Sequence, residues 1–131
     1  MKVEYRNVEG LAEPPGYTHV AVAHGTRTVY TAGAVPLDAD GQIVGPGDPT
    51  VQTEQVIANL LRQLEAGGAR ASDVVKTTVY VAADHEAMIT VWDAIQRSPI
   101  ASAPATLLGV ALLGYARQLV EIEAVAVVDG A

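Results

Sequence analysis

Two glutamates near the end of the chain are the residues best suited to acid–base chemistry. Glu121 and Glu123 lie in "LVEIEAVAVV" (119–128), a run rich enough in Val, Ile and Leu to predict a central strand. Because side chains on a strand alternate between faces, both carboxylates point the same way, roughly 7 Å apart. A carboxylate in an apolar pocket suits proton transfer or the holding of a water molecule.

The strand face that carries these acids allows two interpretations. Val125 and Val127 share it with the two glutamates, and a surface that mixes valines with acids suits neither bulk water nor a dry core. One interpretation is a face buried against sister subunits, with a polar pocket where the acids emerge. The other is an edge strand with solvent-exposed glutamates. The strand pattern alone favours neither.

Other candidate chemistry has less support. His19 and His24 are five residues apart on one predicted strand, so they face opposite sides and cannot hold a metal together. Lys76 lies within an apolar strand, where pairing with a carboxylate is more common than Schiff-base formation. Arg117 precedes the glutamates and is either a pocket cation or an exposed loop residue. We expect neither a metal nor a cofactor.

The predicted order of the elements that position these residues is β-β-β-α-β-α-β-β. Strands are predicted at 3–8, at 73–82, at 105–113, at 119–128, and twice within 19–33, where "HGTR" is a hairpin signal. Because strands and helices alternate only in part, the class is α+β, and the simplest packing is one six-stranded mixed sheet with two helices on one face.

Both helices have recognisable ends. Asp48 and Pro49 suit the start of the first helix, and Gly67 with Gly68 suits a left-handed stop. Its apolar face comprises Val56, Ile57, Leu60, Leu61 and Leu64, and its outer face comprises Gln52, Gln55, Arg62 and Gln63. Asp84 suits the start of the second helix, Pro99 ends it, and its apolar face comprises Met88, Ile89, Trp92 and Ile95.

Composition excludes several classes of protein. The 131 residues predict one domain spanning 1–131, and half of them are hydrophobic. The net charge is −7 and the basic residues are scattered, so we expect no nucleic-acid partner. No stretch approaches about 18 uninterrupted apolar residues, so we expect no membrane span. With no cysteine and no apolar signal core at the N-terminus, we expect a cytoplasmic protein.

Several segments together resemble the Rid family, the YjgF-like enamine/imine deaminases. The resemblance is carried by "QTEQVIANLLRQLEAGGARASDVVKTTVYV" (52–81), "LVEIEAVAV" (119–127), "GYTHV" (16–20) and "VYTAGAVPLDADGQIV", and it extends over nearly the whole chain. It implies a chorismate-mutase-like fold, a homotrimer and a small-molecule ligand in each of three clefts between neighbouring subunits. Glu121 matches the family's pocket glutamate, which positions a water or substrate. Glu123 receives no role from the resemblance.

The same resemblance places five residues at the ligand, namely Tyr17, Gly33, Ile89, Thr106 and Leu108. Family members that hydrolyse 2-iminoacids carry an arginine after Pro-Ala, whereas this chain has Thr106. A guanidinium holds a carboxylate at two points, and threonine supplies neither the charge nor the fork. Ile89 adds apolar surface to such a pocket, unless it packs in the core beneath its helix.

Three functions follow for comparison. The first is a cofactor-independent hydrolase for a small imine, enamine or related metabolite, with Glu121 as the catalytic group and weak or absent activity on ordinary 2-iminoacids. The second is a non-catalytic small-molecule binder that acts as a sensor or scavenger. The third is a nuclease, which the acidic charge balance disfavours.

Overall fold

The elements were located in a computed structural model that describes residues 2–130. The strands are β1 (Lys2–Arg6), β2 (Val20–His24), β3 (Arg27–Tyr30), β4 (Val74–Val81), β5 (Ala105–Gly109) and β6 (Val120–Val128). The helices are α1 (Pro49–Ala66) and α2 (His85–Gln96), and one 3-10 turn covers Ala71–Asp73. The predicted order β-β-β-α-β-α-β-β is confirmed, and so is the α+β class.

The six strands are divided between two sheets, which corrects the expectation of one six-stranded sheet. Four strands form a mixed sheet in the order β3-β6-β4-β5, in which only the β4–β5 pair is parallel. Within residues 2–130, β1 and β2 form a separate antiparallel pair. The hydroxyl of Tyr5 donates to the carbonyl oxygen of Val74 at 2.6 Å, which ties this pair to the start of β4.

The predicted hairpin within 19–33 is wrong in its pairing, although both of its strands exist. The backbone N–H of Thr26 donates to the carbonyl oxygen of Val128, and the N–H of Gly130 donates to the Thr26 hydroxyl. These bonds direct β3 onto β6, while β2 remains paired with β1. The connection between β2 and β3 therefore links two sheets.

Helix α1 begins and ends as predicted. The Asp48 side chain accepts from the backbone N–H of Val51 at 3.1 Å, and Gly68 provides the left-handed residue after the last turn, with a φ of +80°. The expected apolar face packs into the core. Gln52 departs from the prediction, because its side chain is buried rather than on the outer face.

Helix α2 is capped by Asp84, whose carboxylate accepts from the N–H of Ala87 at 2.9 Å. Ile95 is buried, and Met88 and Trp92 pack against the core. Ile89 is 62% exposed, so the predicted apolar face is too wide by one residue, and the alternative of Ile89 packing beneath its helix is also wrong.

The core lies between the helices and one face of the four-stranded sheet. Alternate residues of β6 point into it, and all of them are buried: Val120, Ile122, Ala124, Ala126 and Val128. We call the opposite side of this sheet the open face. It carries Tyr30, Lys76, Thr78, Tyr80, Thr106, Leu108, Glu121, Glu123, Val125 and Val127.

Candidate functional site

The two glutamates lie on the open face, as their spacing predicts. Glu121 is paired with Tyr80 of β4, and Glu123 with Thr78. Both acids are half-buried within a single chain. Their neighbours on β6 point into the core, so the strand itself holds the carboxylates on the side away from the helices.

The carboxylate of Glu121 is held from two directions. Its Oε1 accepts a hydrogen bond from the Nε2 of Gln118 at 3.1 Å. Its Oε2 lies over Gly33, where an added Cβ would stand only 2.0 Å from that oxygen. Gly33 is brought there by the next residue, because Ala34 exchanges backbone hydrogen bonds of 2.7 and 3.2 Å with Ile122. A side chain at 33 would therefore displace the Glu121 carboxylate from this position.

Glu123 has a different partner. Its Oε1 accepts a hydrogen bond from the phenol of Tyr80. The hydrogen bond to Glu123, then burial, then the negative charges of Glu123 and Glu121 raise the pKa of Tyr80 above its usual value. The phenol therefore stays protonated, and it remains a neutral donor beside two acids.

Thr106 and Leu108 lie on the same open face, but on the edge strand β5. Leu108 is paired with Tyr80, and Tyr80 with Glu121, so two strand spacings, roughly 10 Å, separate Leu108 from the acid. The hydroxyl of Thr106 accepts a hydrogen bond from the Nζ of Lys76 at 2.7 Å. Glu121, Thr106 and Leu108 therefore share the open face, but within one chain they do not come together in a single pocket.

Tyr17 lies elsewhere, on the helix side of β5. It lines a cavity of about 260 Å³ together with Pro15, Trp92, Ala105 and Leu107. The Tyr17 and Trp92 rings meet edge to face at 6.0 Å, and the Trp92 indole donates to the carbonyl oxygen of Pro15. Because Ala105 and Leu107 alternate with Thr106 and Leu108, this cavity and Thr106 lie on opposite faces of the edge strand.

Arg117 does not reach the acids. Its φ is +66°, its side chain is exposed, and its carbonyl oxygen accepts from the Nε2 of Gln52 at 2.9 Å. It lines a surface hollow formed by the loop that precedes β6, and this hollow does not include Glu121. Within one chain, Arg117 is therefore an exposed loop residue and not a cation beside the two acids.

Two buried glutamines were missed by sequence reasoning. Gln52 and Gln118 are 0% and 4% exposed, and both anchor the loop just before β6. A signal for Gln52 existed, because it lies four and eight residues before Val56 and Leu60 and so shares their buried stripe. Gln118 had no such signal, since it lies in an irregular loop.

The described part of the chain offers neither a cluster of metal ligands nor a membrane-spanning helix. Among residues 2–130, no three His, Cys, Asp or Glu side chains cluster closely enough to hold a metal ion. No helix in this part of the chain is long and apolar enough to cross a membrane.

Comparison with known proteins identifies the family. A family model described as Endoribonuclease L-PSP matches residues 11–128. The chain belongs to this family. Among solved structures, the conserved Rid-family protein YyfB from Yersinia pestis matches with a TM-score of 0.86 and 33% identity, covering 98% of this chain and 100% of that one. The resemblance to the Rid family and its chorismate-mutase-like fold is confirmed.

Other members of the L-PSP family show how far the similarity extends. A putative endoribonuclease from Thermotoga maritima has a TM-score of 0.71 and 29% identity, covering 99% of this chain and 98% of its own. A mouse protein named 2-iminobutanoate/2-iminopropanoate deaminase is 44% identical over 57 residues, which cover 43% of this chain and 42% of that protein. The chain spans about half the length of the curated relatives it matches.

Proposed function

We propose that this L-PSP-family protein is a cofactor-independent hydrolase of a small imine or enamine-type metabolite, acting in a cleft between neighbouring subunits of a homotrimer in the cytoplasm. The observation that carries the proposal is the Glu121 carboxylate, which is held in one place on the open face by Gln118 and Gly33. The name of the mouse deaminase supports the reaction class.

The reaction needs only proton transfer and orientation. Glu121 accepts a proton as the oxygen of a water molecule bonds to the imine carbon. That proton passes to the nitrogen to give a carbinolamine. Glu121 then carries the proton of the carbinolamine hydroxyl to the same nitrogen, so the C–N bond breaks as the C=O bond forms, and ammonia leaves. Tyr80 donates its only hydroxyl proton to Glu123, so it fixes the second acid beside this chemistry and leaves Glu121 as the group that moves protons.

The arrangement of the site supports a trimer. Glu121 lies roughly two strand spacings from Leu108, and Gly33 lies beyond β6, further still from β5, so a single chain presents half of a cleft at each place. The open face also shows large apolar side chains, with Tyr30 77% and Leu108 41% exposed. A neighbouring subunit that covers this face would bring one chain's acid opposite another chain's edge strand.

Ordinary 2-iminoacids are poor substrates under this proposal. By the family resemblance, Thr106 stands at the position where the imine deaminases carry arginine, and its hydroxyl is already engaged by Lys76. Losing a charge-assisted contact to a substrate carboxylate costs about 2–5 kcal/mol, or roughly 30- to several-thousand-fold in affinity. We therefore expect substrates that are neutral or more apolar.

A second candidate function is a non-catalytic small-molecule binder. It is favoured by the same threonine, since a pocket without the anchoring guanidinium can retain its shape and lose turnover. Under this alternative, calorimetry detects ligand binding to both the parent protein and a Glu121→Gln variant, and neither releases ammonia.

The test of the hydrolase is a steady-state assay of ammonia release from a panel of imines. Glu121→Gln should lower kcat by at least about 100-fold, because the amide cannot accept the proton from water. Glu65→Gln, which removes the same charge from an exposed position on α1, is the matched control and should retain full turnover. Equal turnover in Glu121→Gln and the parent would contradict the role assigned to Glu121.

A nuclease activity is not part of the proposal, despite the name of the family. The net charge of −7 and the scattered basic residues offer no footprint for phosphates. Binding of RNA with steep salt dependence would contradict this expectation.

A further inference from the structure

The amide of Gln118 lies against the proposed catalytic acid, and it is buried in the loop that leads into β6. We propose that Gln118 is the positioning residue for Glu121: it engages Oε1 and thereby leaves Oε2 as the oxygen that accepts the proton. The kinetic part of this inference rests on the proposed function, whereas the structural part does not.

The orientation of the Gln118 amide is determined by its own hydrogen bonds. Its Oε1 accepts from the backbone N–H of Tyr115 at 3.2 Å. Its Nε2 donates to the carbonyl oxygen of Val120 at 3.0 Å and to Oε1 of Glu121 at 3.1 Å. A flipped amide would place its oxygen against two acceptor oxygens and its NH₂ group against an N–H, so only one orientation satisfies every group.

The loop that carries Gln118 is itself anchored to helix α1. The Oε1 of Gln52 accepts from the N–H of Leu119 at 2.8 Å, and its Nε2 donates to the carbonyl oxygen of Arg117 at 2.9 Å. The residues on both sides of Gln118 are therefore attached to a buried side chain of a long helix. This removes the freedom that a loop residue would otherwise have.

The two oxygens of Glu121 consequently have different surroundings. Oε1 has the amide donor, and Oε2 lies against Gly33, which has no side chain of its own. Within residues 2–130, Oε2 receives no hydrogen bond. Gln118 therefore occupies one oxygen of the carboxylate with a donor, and the second oxygen stays available to water.

Few other charged or titratable groups face Glu121. Tyr80 approaches from β4, and Glu123 lies two residues along β6. The segment 31–34, which brings Gly33 to the acid, carries no titratable side chain. Arg117 points to a different surface hollow. A substitution of Gln118 should therefore change the titration of Glu121, with little contribution from other charged groups.

The experiment is a carbon-13 NMR titration of the Glu121 carboxyl signal in the ligand-free protein, paired with kinetics. In Gln118→Glu the signal should titrate about 1 pH unit or more above the parent, because a second acid replaces the donor. Gln118→Leu should give a smaller upward change. Both variants should lower kcat about 10- to 100-fold with KM changed less than about 3-fold.

The control is Gln42→Glu, which adds the same charge at an exposed position in the 38–42 turn and should change neither readout. A second measurement needs no substitution, because it follows the Gln118 side chain of the parent protein. It remains informative even if a Gln118 variant fails to fold. The side-chain NH₂ signals of Gln118 should shift with the same midpoint as the Glu121 carboxyl signal. Side-chain signals that ignore this titration would overturn the inference.

The outcomes separate this inference from the proposed function. Shifted Glu121 titrations in a protein that hydrolyses no imine would support the positioning role and reject the hydrolase. Folded Gln118 variants with unchanged titration and unchanged kcat would overturn the positioning role while leaving the hydrolase standing.

Discussion

At the scale of single residues, two glutamates of identical type and spacing have different surroundings. Glu121 contacts Gln118 and Gly33, whereas Glu123 accepts from the Tyr80 phenol. The second acid thus takes the only proton that Tyr80 can donate, and the first acid keeps Gln118 as its donor. The difference arises from the surroundings of each position: Gln118 in the loop before β6 and Gly33 approach position 121, whereas the hydroxyl of Tyr80 reaches position 123 from β4.

Thr106 is the residue whose replacement tests the predicted substrate preference. Thr106→Arg should raise kcat/KM for 2-iminopropionate by at least about 10-fold, because it returns a two-point contact for the carboxylate. Release of ammonia under steady-state conditions is the measurement. Thr106→Met, of comparable length without the charge, is the control and should bring no gain.

The neighbour of Thr106 affects this experiment. The ammonium of Lys76 lies 2.7 Å from the Thr106 hydroxyl, so an arginine at 106 meets a like charge. The double variant Thr106→Arg with Lys76→Gln removes that repulsion and should exceed the single variant. If neither folded variant gains activity, the pocket differs from that of the deaminases at more than this position.

At the scale of elements, the C-terminal strand depends on helix α1 for its entry. Gln52 reaches from the first turns of α1 to the carbonyl oxygens of Gly45 and Arg117 and to the N–H of Leu119. One fully buried side chain thus joins the connection before the helix to the loop before β6. The loop would otherwise bury backbone groups without partners.

Replacing Gln52 should therefore destabilise the protein more than replacing an exposed glutamine on the same helix. Gln52→Leu should lower the free energy of unfolding by about 2–3 kcal/mol, because it leaves a buried N–H unsatisfied. Equilibrium urea denaturation at one fixed protein concentration measures this. Gln63→Leu, which loses only a 3.3 Å bond to Ala32, should cost less than about 1 kcal/mol, and equal losses would contradict the anchoring role.

At the scale of the whole molecule, the open face is the feature that a single chain leaves unexplained. Its valines and its tyrosines surround two acids, and the helices cover only the opposite side of the sheet. The proposed homotrimer would bury this face, which would account for the apolar side chains and complete the proposed cleft at the same time.

The assembly can be tested by light scattering coupled to size-exclusion chromatography. The parent should have about three times the chain mass of 13.6 kDa. Val127→Glu, which adds a third acid to the open face opposite Thr28, should reduce the mass toward that of one chain, because it places a charge in the buried interface. Leu112→Glu, at a loop position 77% exposed, should remain trimeric. A parent of one chain's mass would reject the intersubunit cleft.

The sequence alone determined the α+β class, the element order, the helix caps and the shared face of the two glutamates. These features depend on local chemistry: alternation along a strand, side-chain oxygens at helix starts and glycine at a helix end. The same local reasoning wrongly placed Ile89 on the apolar face of α2 and Gln52 on the outer face of α1. Ile89 is exposed, and Gln52 is buried.

Only the tertiary structure decided how the strands divide into two sheets and which groups hold each acid. Tyr80 and Glu123 are 43 residues apart in the chain, and Gly33 is distant from Glu121 as well. Such contacts are set by strand register and by where the loops are anchored, and neither leaves a periodic pattern in the sequence. The physical reason is that alternation specifies the direction of a side chain, whereas its partner depends on which strand the fold places beside it.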